Sequence, residues 1–310
     1  MPRHRLLLSA LILLAIARPA MAQDRVVDRS AFYLGFNVLL GGGAAVAHAL
    51  LGDEDVPLLP AFAKGALGGG VMYGGQQLIG TGRSGLRLPG VQLVATGASM
   101  ARAAGRGAPL LSDITLPLYP LYVQVRPGSD RPVSVRLSLV ATVGLAWAAH
   151  DNGRFGASID WRESLLTGAP VFRTDASYLY PFGEPESSSC YHGNGCPLAA
   201  AGLHRIGSTW YTTGGRTPEA TRRTLTHETI HLTQIVRDAI LFGIPAGDAA
   251  LGRAGALGSG VSRFVAVDLF LPISAVNHAL SLTLPATDHG HSWRLYEFEA
   301  HAFTGTGPRR

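Results

Sequence analysis

The sequence predicts an α+β fold in three parts: an apolar, glycine-rich helical N-terminal half, a central mixed or antiparallel sheet, and a C-terminal pair of helices arranged to hold a metal ion. Three observations carry this expectation. Residues from about Ala31 to Gly105 are apolar and nearly uncharged, with glycines recurring at short intervals. From Leu116 the hydrophobic period drops to two, the period of a strand. From Thr217 helix signals return, and the helix they open contains His227-Glu228-Thr229-Ile230-His231.

Composition sets the limits. Of 310 residues, 47% are hydrophobic and only 15% charged, so the chain has ample apolar surface to bury and is not intrinsically disordered. Low charge and the absence of sustained heptads exclude a coiled coil. The formal charge of +5 includes Arg3, Arg5 and Arg18, and without the first 22 residues it is 5 − 3 = +2. Lys64 is the single lysine and the arginines are scattered, so no nucleic-acid partner is expected.

Taken in order, residues 1–22 read as a signal peptide. Met1 to Arg5 is basic, Leu6 to Ala17 is an apolar run, and Ala20-Met21-Ala22 is a small-x-small cleavage signal. The rival reading, an uncleaved anchor, would need about 20 apolar residues to span a bilayer. No cysteine follows the cleavage site, which closes the lipoprotein route. The expected location is the periplasm or cell envelope. There, Cys190 and Cys196, which bracket a short Gly/Asn loop, are expected to form a disulfide, the alternative being a zinc-binding pair.

Residues 23–110 form the apolar helical region. Phe36 to Leu51 reads as a helix interrupted at Gly41-Gly42-Gly43, and Ala61 to Gly80 as a second one. Glycines three to five apart permit close backbone approach, as in membrane helix pairs. Membrane-associated helices and deeply buried ones both fit. Lys64, Gln76 and Gln77 favour the soluble version.

Residues 111–310 hold the β-rich segment and the metal-site helices. Tyr122 to Val125 and Val133 to Leu139 alternate apolar and polar residues around the turn-forming stretch 126–132, which predicts a hairpin of half-buried strands. Gly156 to Thr174 and Leu203 to Tyr211 offer further strands. Thr217 as N-cap, Pro218 at the first helical position and Glu219 in the first turn open a helix expected to stop near Phe242, before Gly243 and Pro245. Val261 to Leu284 is a long apolar segment, and a last helix runs from about Ser292 to Thr304.

The chemistry lies in the HExxH sequence. Residues four apart share a helix face, so His227 and His231 can bind one metal ion, and neutral imidazoles suit zinc. Glu228 stands about 100° round from His227, placed to take a proton from a water that zinc has acidified. With 11 histidines in the chain, a chance HExxH arises about once in 100 such sequences, so a metal site is the favoured reading.

The third ligand must come from elsewhere, because Gln234 and Arg237 stand where a metzincin needs Gly and His. In Tyr296-Glu297-Phe298-Glu299-Ala300-His301, Glu297 and His301 share a face, with Ala300 small enough for two helices to approach. Glu297 is therefore expected as ligand and His301 as its partner behind the metal. Glu299, about 200° from Glu297 round the helix, is expected to point away. Glu299 itself and the histidines of Asp288-His289-Gly290-His291 are the competing choices of ligand. Gln234, one turn beyond His231, is a candidate to bond a ligand or substrate. Tyr211, His289, His291, Arg294 and Tyr296 are candidate oxyanion stabilisers, each more often structural.

These residues resemble the glutamate zincins, HExxH peptidases whose third ligand is a glutamate on a later helix. Glu297-Phe298-Glu299-Ala300-His301 is similar to the ExxxD pattern of HtpX-type membrane peptidases, with histidine in place of aspartate. Glu-Phe-x-Ala-x-Ala-Phe is similar to the third-ligand helix of anthrax lethal-factor-type peptidases. The resemblance covers two helices between Thr217 and Phe303. The glycine-rich half resembles uncharacterised bacterial envelope proteins bearing a His-Glu-x-x-His-x-x-Gln helix. The resemblance to the glutamate zincins implies a zinc metallopeptidase acting on a peptide or protein substrate, and the likeness to the envelope proteins implies no activity. An envelope structural or assembly protein with a bracing zinc site, and a non-peptidase hydrolase, are the alternatives.

Overall fold

The computed structural model describes residues 29–52, 54–118, 120–139, 142, 158–159, 161–168, 171–174, 209–212, 218–268 and 295–304. Residues 1–22, expected to be a signal peptide, the Cys190–Cys196 loop, Thr217, His289, His291 and Arg294 lie outside the described residues.

Three helices, α1 (Arg29–Leu51), α2 (Leu58–Gly80) and α3 (Arg87–Gly105), form the N-terminal bundle. Their glycines set the spacing. A methyl group at Gly68 would stand 2.5 Å from the Gly97 carbonyl oxygen, and one at Gly75 would stand 2.5 Å from that of Gly90, so α2 and α3 touch backbone to backbone. Gly41 packs in the same way against Gly65 and Gly69. The expected interruption at Gly41–Gly43 is therefore absent and α1 runs straight through. A helical glycine costs about 1 kcal/mol in propensity, and at these contact positions the close approach it permits offsets that cost. Ser30–Leu51 is long and apolar enough to cross a membrane by length and composition, with 33% of its most apolar window buried.

The first sheet begins with β1 (Ile114–Leu118), β2 (Leu121–Val125) and β3 (Val133–Ser138), antiparallel in sequence order. The expected hairpin is present: Val125 pairs with Val133, and Gly128 takes φ 80 in the turn. Its polarity is the reverse of expectation. Val133, Val135 and Leu137 are 57%, 49% and 37% exposed, while Thr115, Tyr122, Gln124, Arg136 and Ser138 are buried. The inward polar face is satisfied by pairing. Arg136 forks onto Asp248, Tyr122 and Ser138 donate to Asp268, and Gln124 donates to Asp113. Burial pushes the Asp113 carboxyl up, but Arg102, Arg106 and Arg126 outweigh it and bring it to about 2.

A smaller sheet contains β4 (Ser158–Ile159), β5 (Val171–Thr174) and β6 (Thr209–Thr212), with β4 antiparallel and β6 parallel to β5. Helix α4 (Trp161–Thr167) joins β4 to β5, and its Glu163 pairs with buried Arg87 of α3. The motif-bearing helix α5 (Pro218–Asp238) follows, then α6 (Ile244–Arg253) and α7 (Gly255–Val261). The two-residue strand β7 (Val265–Ala266) pairs parallel with β3, which makes the first sheet mixed. The last described helix is α8 (Leu295–Thr304). One core joins the parts: Met72, Ile79, Val94 and Ala98 pack with Ile230, Val236, Ile240, Ala266 and Ala300.

The expected helix stop at Gly243 and Pro245 is also corrected. The chain continues from α5 into α6 through a π-helical turn, Ala239–Gly243. Pro245 has no N–H, so the Leu241 carbonyl four residues earlier loses its α-helical donor. His48 Nε2 from α1 donates to that carbonyl at 2.6 Å. Burial holds the His48 pKa below its ordinary 6.5, against the raising effect of this bond. His48→Leu should thus cost about 1–3 kcal/mol, the price of a buried carbonyl losing its donor. The sign of the pH effect follows from the lowered pKa. Its contribution is full above about pH 6.5 and falls away below it, as the unfolded chain takes up a proton that the folded chain refuses. Urea melts from pH 7 to 5 should show a shallower pH slope for His48→Leu than for wild type; equal slopes would refute the assignment.

Candidate metal site

Helix α5 is polar in composition yet buried from Leu225 to its end at Asp238 apart from half-buried His231. Its hydroxyls make that possible. Thr226, Thr229 and Thr233 each donate to a carbonyl of the preceding turn, at 2.9, 2.6 and 2.7 Å. At its exposed N-terminal end, Glu219 is held by Arg222 and Arg223, whose hydrogen bonds lower its pKa.

His227 and His231 point their Nε2 atoms at one another, 3.1 Å apart, with ring centres separated by 4.7 Å. Two imidazole nitrogens bound tetrahedrally to one zinc at 2.0–2.1 Å stand about 3.3 Å apart. The pair thus fits a zinc ion as well as it fits a shared proton. The ring of His301, from α8, lies 4.8 Å from that of His227. Glu228 is 7% exposed, adjacent to His227 on the same buried helix. Glu297 stands one turn before His301 on α8, but its side chain, like those of Tyr296 and Tyr211, lies outside the described residues. Among the described residues no three His, Cys, Asp or Glu side chains form a metal-holding group.

Gln234 meets His231: its Oε1 lies 2.8 Å from His231 Nδ1. On its other side Gln234 Nε2 donates to Glu299 Oε2 at 2.9 Å. Glu299, expected to point away from the metal and to be without effect on the site, instead reaches it through Gln234. It is fully buried and paired with Arg237 Nη1 at 2.8 Å, both side chains at 0% exposure. Gln76 Nε2 of α2 donates to the same carboxylate at 2.8 Å, and Asn37 Nδ2 of α1 approaches it at 3.5 Å.

The sequence reading missed Asn37, Gln76 and Arg237 as part of this cluster. A signal was present. Asn37 is the sole carboxamide in α1, and an amide in the middle of a largely apolar helix needs a polar partner if that face is buried. Asn37 Nδ2 donates to the Tyr33 carbonyl at 2.9 Å and to Gln76 Oε1 at 3.1 Å; what could not be read was that Arg237, 200 positions away, donates to its Oδ1. Compared with protein-family models, curated proteins and solved structures, the chain matches none.

Proposed function

We propose that this chain is a zinc-dependent hydrolase, a metallopeptidase exported to the bacterial cell envelope. The observation that carries the reading is the convergence of His227 and His231 Nε2 at 3.1 Å on a buried, rigidly packed helix. His227 and His231 would hold the metal through Nε2. Glu297 would complete the protein ligands from α8, and His301, against the His227 ring, would steady that side of the site. Bound there, zinc would supply a Lewis acid that polarises a carbonyl and brings a water's pKa toward neutrality. The Glu228 carboxylate would accept the water's proton and return it to the leaving nitrogen. Strand β6 supports a peptide as substrate: it lies against α5 and, among the described residues, pairs only with β5, leaving an edge for an extended segment.

The rival reading, a structural envelope protein braced by zinc, draws on the depth at which α5 is packed into the core. Metal analysis tests the common premise. Purified wild type should carry one zinc per chain, and His231→Ala should lose it while retaining its helix content by circular dichroism. Zinc-free wild type after metal loading, or a stoichiometric His231→Ala, would refute both readings. Wild type that binds zinc, cuts no peptide and melts far lower after chelation would favour the brace.

A further inference from the structure

His231 can bind a cation through Nε2 only if its ring proton sits on Nδ1, since the other tautomer presents an N–H instead of a lone pair. The surroundings of the ring decide which tautomer is present. The Glu299 carboxylate, paired with Arg237, only accepts hydrogen bonds, so Gln234 must turn its NH2 toward it, at 2.9 Å. That orientation leaves Gln234 Oε1 facing His231 Nδ1 at 2.8 Å, and an amide oxygen there requires Nδ1 to be the donor. The far side of Glu299 is fixed just as firmly. Oε1 accepts from Arg237 Nη1 and from Gln76 Nε2, while the Gln76 oxygen accepts from Asn37 Nδ2 at 3.1 Å. Asn37 Oδ1 accepts from Arg237 Nη1 at 3.3 Å. All five side chains are buried, so these bonds hold without competition from bulk water.

We propose that this buried relay is a positioning device: Glu299, held by Arg237 and by the amides of two bundle helices, orients Gln234 so that His231 keeps its proton on Nδ1 and its lone pair on Nε2. The glycine-rich bundle is thereby part of the site, because α1 and α2 supply Asn37 and Gln76. The use of that lone pair rests on the metal reading, whereas the tautomer does not.

The test uses the full chain, metal-free and labelled with ¹⁵N-histidine, with the His231 signals assigned by their loss in His231→Gln. Nitrogen shifts should show His231 protonated at Nδ1 and bare at Nε2. Gln234→Met keeps the side-chain volume and removes the acceptor; it should populate both tautomers and bind zinc about 10–100-fold more weakly. The exchange Gln234→Glu/Glu299→Gln moves the negative charge one step along the relay and keeps an acceptor on Nδ1, so it should restore the wild-type tautomer and most of the affinity. A wild-type His231 protonated at Nε2 would overturn the proposal, as would a folded Gln234→Met with unchanged tautomer and affinity. If Gln234→Met does not fold, the wild-type and exchanged spectra decide, since the relay requires Nδ1–H in both. A wild type with the proton on Nδ1 that takes up no zinc refutes the metal reading and leaves the relay in place.

Discussion

Glu228→Gln is expected to keep its zinc, its helix and its fold while losing hydrolysis by ~10²–10⁴-fold, the usual worth of a positioned acid–base group. The amide nearly matches the carboxylate in shape, which matters at a position only 7% exposed, but it cannot take up a proton. The convergence of His227 and His231 does not depend on this side chain, since Gln234 orients His231 and the ring of His301 lies against His227. His227→Ala and Glu297→Ala should behave differently and lose zinc first, because each removes a ligand. The measurement is paired: zinc per chain, and cleavage of a broad peptide library. Equal cleavage by Glu228→Gln and wild type would remove Glu228 from the chemistry. A zinc-loaded wild type that leaves the library uncut, with Glu228→Gln normal in the cell, would move the protein to the structural class.

What the sequence could show here, and what it could not, follows a physical line. Local signals were legible. The glycine spacing announced close helix packing, the β2–β3 hairpin was visible from alternation around residues 126–132, and the HExxH helix was marked by Pro218 and Glu219. Alternation, however, has a period and no sign. Val133, Val135 and Leu137 face outward because Arg136 and Ser138 have partners inside, Asp248 and Asp268, that are over 100 positions distant. Pro245 was read as a stop because a proline ordinarily is one. It is accommodated here by a π-helical turn and by His48, a donor from another helix. Both of these misreadings involve a polar group whose partner is remote in sequence, information that periodicity and capping rules do not contain.

Glu299 is the sharpest such case, and its replacement is the second large expected effect. Read from the helix wheel alone, Glu299→Ala would be silent. In the fold it strips the nearer of two counter-charges from Arg237, whose guanidinium is fully buried, and leaves the NH2 groups of Gln234 and Gln76 facing a void. Breaking a buried ion pair from one side costs about 3–5 kcal/mol, and Asp238, 3.3 Å from Arg237 Nε and itself buried, places the expected loss toward the lower end. For a chain of this size that is a drop in Tm on the order of 10 °C. Removing both charges is a different experiment. Arg237→Leu/Glu299→Leu exchanges the pair for apolar volume and should recover a substantial part of the loss, since an intact buried pair spends much of its attraction on desolvation. Recovery should stop short of wild type, as Gln76 and Gln234 would still lack the Glu299 acceptor, and Asn37 Oδ1 and buried Asp238 would lose the Arg237 guanidinium. The double variant should also bind zinc weakly even where it is well folded, because nothing then holds the Gln234 oxygen on His231. Thermal melts of wild type, Arg237→Leu, Glu299→Leu and the double close a mutant cycle on the 2.8 Å contact. A coupling energy near zero would mean that Arg237 and Glu299 do not face each other in solution, and the relay and its hold on His231 would fall with that result.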